Sequence, residues 1–196
     1  EVLMNLADKV ISENKSVIFT VPEISLTAQF IDVFRKRYKD KTVLIHSGLS
    51  DRERFYAWKK LKQGNSFVVL GTRSAIFAPV KNLGLVVIDE EHEFTYKSDS
   101  NPRFNAKDIA KYRCKSSNAL LVFSSATPSI ESYYKAKSGR YKLFTLKSRY
   151  AGATLPDVKI VDMNDSNANT DGGRFSDELT NALKENLKAG KQSLIF

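Results

Sequence analysis

Cysteine is almost missing from this chain: Cys114 stands alone among 196 residues. One thiol closes no intramolecular disulfide, which fits a reducing cytoplasm. Histidine is nearly as scarce, with only His46 and His92. One cysteine and two histidines build no zinc site unless carboxylates join them. No apolar run approaches the roughly 18 residues of a membrane-spanning helix, so no membrane association is expected. No signal peptide pattern opens the chain. No G-x-x-x-x-G-K-[ST] loop occurs, the segment that cradles the phosphates of a nucleotide. Negative charge is in deficit: 22 acidic against 31 basic side chains leave a net charge of +9 and a pI near 9.5. That balance points to an anionic partner, with a merely solubilising basic surface as the plain alternative.

What is present is an alternation. Strand-like apolar runs lie at 16–21, 42–46, 67–70, 83–88 and 119–123, with further ones at 141–146, 158–161 and 193–196. Between them the spacing predicts helices over 25–38, 51–62, 105–115, 128–136 and 176–189. Leu26, Phe30 and Phe34 recur every four residues in the first of these; Ala106, Ala110 and Cys114 do so in another. Continuously apolar strands separated by amphipathic helices mean an α/β fold, a mostly parallel sheet covered on both faces. In such sheets ligands bind beyond the carboxyl ends of the strands. Composition shifts after Tyr150, so residues 1–150 read as one domain. Residues 151–196 read as a linker followed by the first β-α-β of a second, with a polar stretch at 164–174.

Four post-strand loops carry the chemistry. Asp89-Glu90-Glu91-His92 follows the run 83–88 directly. A strand that delivers two carboxylates to the sheet edge lets one hold Mg²⁺ and the next orient or deprotonate water, as nucleoside triphosphate hydrolysis needs. Ser124-Ser125-Ala126-Thr127-Pro128 ends the next strand; small hydroxyl residues there can bond a carboxylate or histidine, and Thr127 with Pro128 also suits an ordinary helix start. Gly71-Thr72-Arg73-Ser74 suits a phosphate contact or a plain turn. The fourth loop is Val21-Pro22-Glu23-Ile24-Ser25-Leu26-Thr27. After the acidic box, Phe94, Tyr96, Lys97, Arg103 and Phe104 interleave aromatics and cations, which can stack on bases and pair with phosphates, or form a surface hairpin. Cys114 reads as core, His46 as loop packing, and the cations of 35–41 as a solvated helix end.

In this order the four loops resemble the first RecA-like motor lobe of superfamily 2 helicases. The wording VPEISLT, IHSGLSDRER, GTRSAIFAP, VVIDEEHEFTYK and SSATPSIES is similar to the primosomal protein N′ (PriA) family of bacterial replication-restart helicases, over roughly residues 1–160. The resemblance implies ATP and Mg²⁺ as cofactors, with Asp89 and Glu90 at the metal and Glu90 as base or water-positioner. It implies that His92 couples the nucleotide site to Ser125, Ala126 and Thr127. It implies single-strand contacts from Pro22, Glu23, Ser25 and Thr27, from Gly71, Thr72, Arg73 and Ser74, and from Phe94, Tyr96, Lys97, Arg103 and Phe104. Family members unwind DNA 3′→5′, restart stalled forks and load the primosome. The implied partners are single-stranded and forked DNA, single-strand DNA-binding protein and other primosome proteins; a monomer at the nucleoid in the cytoplasm is expected. The family's phosphate loop runs T-G-S-G-K-T and is followed by Glu-Val, as this chain begins Glu1-Val2. The chain therefore reads as a piece starting just after that loop, without the family's zinc module, and is expected not to hydrolyse ATP alone. A duplex-DNA translocase of the same box type and a non-catalytic nucleic-acid-binding module remain the alternatives.

Overall fold

Five of the apolar runs pair into one all-parallel sheet: β1 (Ser16–Thr20), β2 (Thr42–Ile45), β3 (Val68–Gly71), β4 (Leu83–Ile88) and β5 (Leu120–Phe123). Their order across the sheet is β2-β3-β1-β4-β5. The computed structural model describes residues 1–64, 67–147, 156–164 and 174–195. By compactness the chain divides into two units, Glu1–Leu143 and Phe144–Phe196.

The pleat sends alternate residues of each strand to opposite faces. On one face Ile18, Val69, Val86 and Ile88 pack with Leu61 of α3 (Asp51–Gln63) and with Ala106, Ala110 and Cys114 of α4 (Ala106–Ser117). On the other, Val17, Phe19, Val68, Leu70, Leu85 and Val87 pack with Ala7 and Val10 of α1 (Val2–Ser12) and with Phe34 and Tyr38 of α2 (Ala28–Tyr38). Each fully buried Val, Leu, Ile or Phe contributes about 1.5–3 kcal/mol, so this two-sided burial is what holds the sheet. Helix starts are capped by side chains: Thr27 accepts from the Phe30 N–H at 3.2 Å, Asn105 from Lys107 at 2.9 Å and Ser129 from Ser132 at 3.4 Å. Ser50 and Glu53 close a reciprocal capping box at the head of α3.

The last helix of the first unit, α5 (Ile130–Lys137), starts two residues later than the hydroxyl-proline pattern suggested. Its N-cap is Ser129, not Thr127. On α3, Phe55 is 63% exposed and Trp58 36%, whereas Leu61 is buried and Ala57 packs beside it against the core. In the second unit the described element is α6 (Asp177–Lys188), capped by Ser176 as expected. The expected strands at 141–146 and 158–161, and the described residues of the one at 193–196, do not form. A strand exists only as part of a hydrogen-bonded ladder, and these segments find none among the described residues. Val158, Ile160 and Leu194 accordingly stand 83%, 93% and 83% exposed. The expected linker at 151–156, Pro156 apart, and most of the polar stretch at 164–174 lie outside the described residues.

Candidate active site

Because every strand runs the same way, the loops after β1, β3, β4 and β5 emerge on one edge of the sheet, from strands that are neighbours. These are the four loops singled out in the sequence.

The acidic box leaves β4 as a tight turn. The Asp89 N–H extends the β1–β4 ladder by donating to the Thr20 carbonyl at 3.0 Å, and the Glu91 N–H donates to the Ser124 carbonyl at 3.0 Å. Between them Glu90 adopts a left-handed backbone, φ +47°. The turn sends the four side chains different ways. Asp89 and Glu90 are half-exposed, and no hydrogen bond or ion pair engages the Asp89 carboxylate among the described residues. His92 Nδ1 lies 2.7 Å from Ser125 Oγ and 3.6 Å from Glu90 Oε2. Ser125 Oγ also accepts the Thr127 N–H at 3.0 Å. The expected His92–Ser125 link is therefore a direct contact, whereas Ala126 and Thr127 are exposed, Thr127 reaching Ser125 Oγ through its N–H.

Glu91, given no role by sequence reasoning, is the most enclosed member of the box at 1% exposure. Its carboxylate accepts from Lys107 Nζ at 3.0 Å, the Ser129 N–H at 2.7 Å, Ser129 Oγ at 3.0 Å and Ser132 Oγ at 2.9 Å. Burial pushes its pKa up; the hydrogen bonds from Lys107, Ser129 and Ser132 outweigh that and hold it below the ordinary glutamate range. The available signal was Lys107 and two serines facing one carboxylate, legible only with the fold in hand.

The aromatic stretch requires correction. Tyr96, expected to stack on bases, is 1% exposed and belongs to the core. Its hydroxyl reaches the carbonyls of Thr20 at 3.1 Å and Asp89 at 2.5 Å, joining the tips of β1 and β4. Burial raises its pKa. An enclosed ring has no face to offer a base. Phe104 is half-buried, edge-on to Phe77 with ring centroids 4.9 Å apart. Phe94, by contrast, is 81% exposed, and Lys97 and Arg103 are exposed as well. The stretch closes on itself through a Lys97–Asn105 bridge and a Ser98 N–H bond to the Phe104 carbonyl at 2.8 Å.

In the G-T-R loop, Gly71 and Thr72 are buried and Ser74 half-buried. A Cβ on Gly71 would lie 1.8 Å from the Ile45 carbonyl oxygen, so the position admits only glycine. Arg73 Nη1 donates to the carbonyls of Thr95 at 3.1 Å and Lys97 at 3.2 Å. It therefore ties this loop to the aromatic stretch. In the first loop Pro22 is buried, Glu23 and Thr27 are exposed, and the Glu23 carboxylate accepts from Ser47 Oγ at 3.4 Å. Glu23, His46, Ser47 and Thr72 line a hollow of about 190 Å³ with Leu26 and Ile31. His46 Nδ1 accepts the Gly48 N–H at 3.2 Å, the loop packing expected of it.

Among the described residues no group of three or more His, Cys, Asp or Glu side chains could cage a metal ion. The unengaged Asp89 with Glu90 beside it suits instead a Mg²⁺ bound through one or two carboxylates, waters and substrate phosphates. No helix of the described residues is long and apolar enough to cross a membrane.

A parallel α/β lobe with an Asp-Glu-x-His turn bonded to a Ser-Ala-Thr segment defines a class. The family model for the DEAD/DEAH box helicase matches residues 2–136, and the chain belongs to that family. Over its whole length it is similar to the replication restart protein PriA of Bacillus subtilis (strain 168), 40% identical over 196 residues that make up 24% of that protein. The PriA proteins of Treponema pallidum (strain Nichols) and Haemophilus influenzae (strain ATCC 51907 / DSM 11121 / KW20 / Rd) are 39% and 34% identical, again over all of this chain, and over 29% and 26% of their own lengths. The chain thus spans about a quarter of the length of the curated relatives it matches. Among solved structures, Mss116p DEAD-box helicase domain 2 bound to an RNA duplex superposes with a TM-score of 0.40 at 12% identity, covering 69% of this chain and 61% of that one.

Proposed function

We propose that this chain is part of the ATP-driven motor of a replication-restart DNA helicase. Residues 1–150 form its first lobe, and 151–196 form the linker and the opening of the second. The observation that carries the reading is the His92–Ser125 contact at 2.7 Å beside the unengaged Asp89. It links a hydrolytic carboxylate pair to a neighbouring loop on the same sheet edge. Asp89 would hold Mg²⁺, which would neutralise phosphate charge. Glu90 positions or deprotonates the attacking water, and His92 passes the state of the nucleotide site to Ser125. Phe94, Lys97 and Arg103 supply an exposed ring and two cations for a single strand, together with the first loop and Ser74. The net charge of +9 favours that partner.

In a full-length protein carrying this lobe, Glu90→Gln should lower DNA-stimulated ATP hydrolysis by about 10²–10⁴-fold while the protein stays folded. An unchanged rate sinks the assignment. These 196 residues hold no phosphate loop, so alone they should not hydrolyse ATP; DNA-stimulated turnover by the isolated chain, lost on Glu90→Gln, overturns that part. Unwinding of forks with a 3′ but not a 5′ single-stranded arm tests the 3′→5′ direction. Recovery of single-strand DNA-binding protein and primosome proteins on the full-length protein tests the partners. A motor that tracks duplex DNA instead would be stimulated by blunt duplex and little by single strands. Tyr96 cannot make that distinction, because its ring is in the core; exposed Phe94 can.

A further inference from the structure

The geometry points to Glu91 as the positioning residue of the motor: a clamp that makes the acidic box, the Ser125–Thr127 segment and the start of α5 move as one body. This rests on the functional reading above for what the clamp serves, but the clamp itself is a matter of contacts.

Glu91 grips the segment between β5 and α5 at both ends. Its backbone N–H holds the Ser124 carbonyl at 3.0 Å, immediately before Ser125. Its carboxylate holds the Ser129 N–H, Ser129 Oγ and Ser132 Oγ at 2.7–3.0 Å, just beyond Pro128. The four residues Ser125 to Pro128 are therefore strung between two attachments to a single side chain and its own amide. Lys107 completes the arrangement from α4, bonding the Glu91 carboxylate at 3.0 Å and its backbone carbonyl at 3.1 Å. Both neighbours of Glu91 in sequence are proposed working groups, Glu90 and His92. Because the loop's ends are fixed to the residue beside His92, a displacement of the acidic box as a whole carries both ends of the 125–128 loop, and with them the start of α5.

A carboxylate is what the position requires. All four partners of the side chain donate, and two oxygens accept them all. Glutamine is nearly the same shape but offers one oxygen and places an NH₂ against donors. A charged acceptor's bonds are among the stronger ones, and their loss at an enclosed site leaves the Lys107 ammonium without its counter-charge.

Two measurements test the clamp. In the 196-residue chain, amide hydrogen exchange of residues 124–132 should quicken by about ten-fold or more in Glu91→Gln, with β1 and β3 unchanged. Ser132→Ala, which removes one donor and disturbs the fold less, should quicken the same segment by a smaller factor. Unchanged exchange at 124–132 in both variants overturns the clamp. In a full-length protein carrying this lobe, Glu91→Gln should lower kcat of DNA-stimulated ATP hydrolysis about ten-fold or more with KM for ATP unchanged. Cys114→Ala, which weakens the core against α4 without touching the box, provides the matched control. An equal loss of kcat in Cys114→Ala reduces Glu91 to a stabilising role and overturns the positioning one. The exchange arm needs no nucleotide, so it decides the clamp even if the full-length protein proves to hydrolyse no ATP.

Discussion

The turn at 89–92 and the stretch at 94–104 follow each other in sequence and solve the same problem by opposite means. Each carries exposed groups at the sheet edge, and each is anchored by a side chain left only 1% exposed. In the turn the anchor is Glu91, polar, 1% exposed and met by four donated hydrogen bonds. In the stretch it is Tyr96, aromatic, equally enclosed and set in the apolar core. The difference teaches what each can tolerate. An apolar anchor depends on filled volume, which any void diminishes. A polar anchor depends on matched donors and acceptors, so its loss can be partly undone by removing the partner it leaves behind.

The largest effect should come from Tyr96→Ala, about 3–5 kcal/mol of stability by chemical denaturation, since both the ring's volume and two carbonyl contacts disappear. A cost under 1 kcal/mol would contradict its core placement. Glu91→Ala should cost about 2–4 kcal/mol, a discounted figure because Lys107 stays 21% exposed and partly solvated. Adding Lys107→Met should recover part of that loss, whereas the same change beside Tyr96→Ala should recover none; equal behaviour of the two pairs removes the contrast. Arg73→Ala should cost about 1 kcal/mol and loosen residues 94–97, seen as faster amide exchange there. Smallest in stability is Phe94→Ala, within about 0.5 kcal/mol, because an exposed ring holds nothing in place. Its effect belongs to binding instead: the full-length protein should lose about 1–3 kcal/mol of affinity for a single strand.

The strands were legible wherever an apolar run had a neighbour to pair with, the edge strands β2 and β5 included. β1, β3 and β4 form the centre of the sheet and read directly from continuous Val, Ile and Leu. The same composition misled at 141–146 and 158–161, because residue preference describes how well a side chain suits a sheet, not whether a sheet is there to join. The chemistry followed a similar division. That Asp89, Glu90, His92 and Ser125 meet at one place was readable, since post-strand loops of a parallel sheet share an edge; the roles proposed for them are for the experiments above. Tyr96 and Arg73 were not. A tyrosine and an arginine near an acidic box look alike whether they face solvent or a backbone carbonyl. Glu91 escaped notice for the same reason: its four donors come from Lys107, Ser129 and Ser132, as many as 41 positions away.

The left-handed backbone at Glu90 has a consequence for how this lobe can change. A side chain with a Cβ is disfavoured at φ +47°, and glycine would sit there with less strain. Selection for a sturdier fold alone would therefore push this position toward glycine and erase the group proposed to handle water. Persistence of glutamate there would be a signature of work rather than of folding, and in a laboratory lineage evolved for heat resistance without demand for motor activity, codon 90 should be among the first to drift.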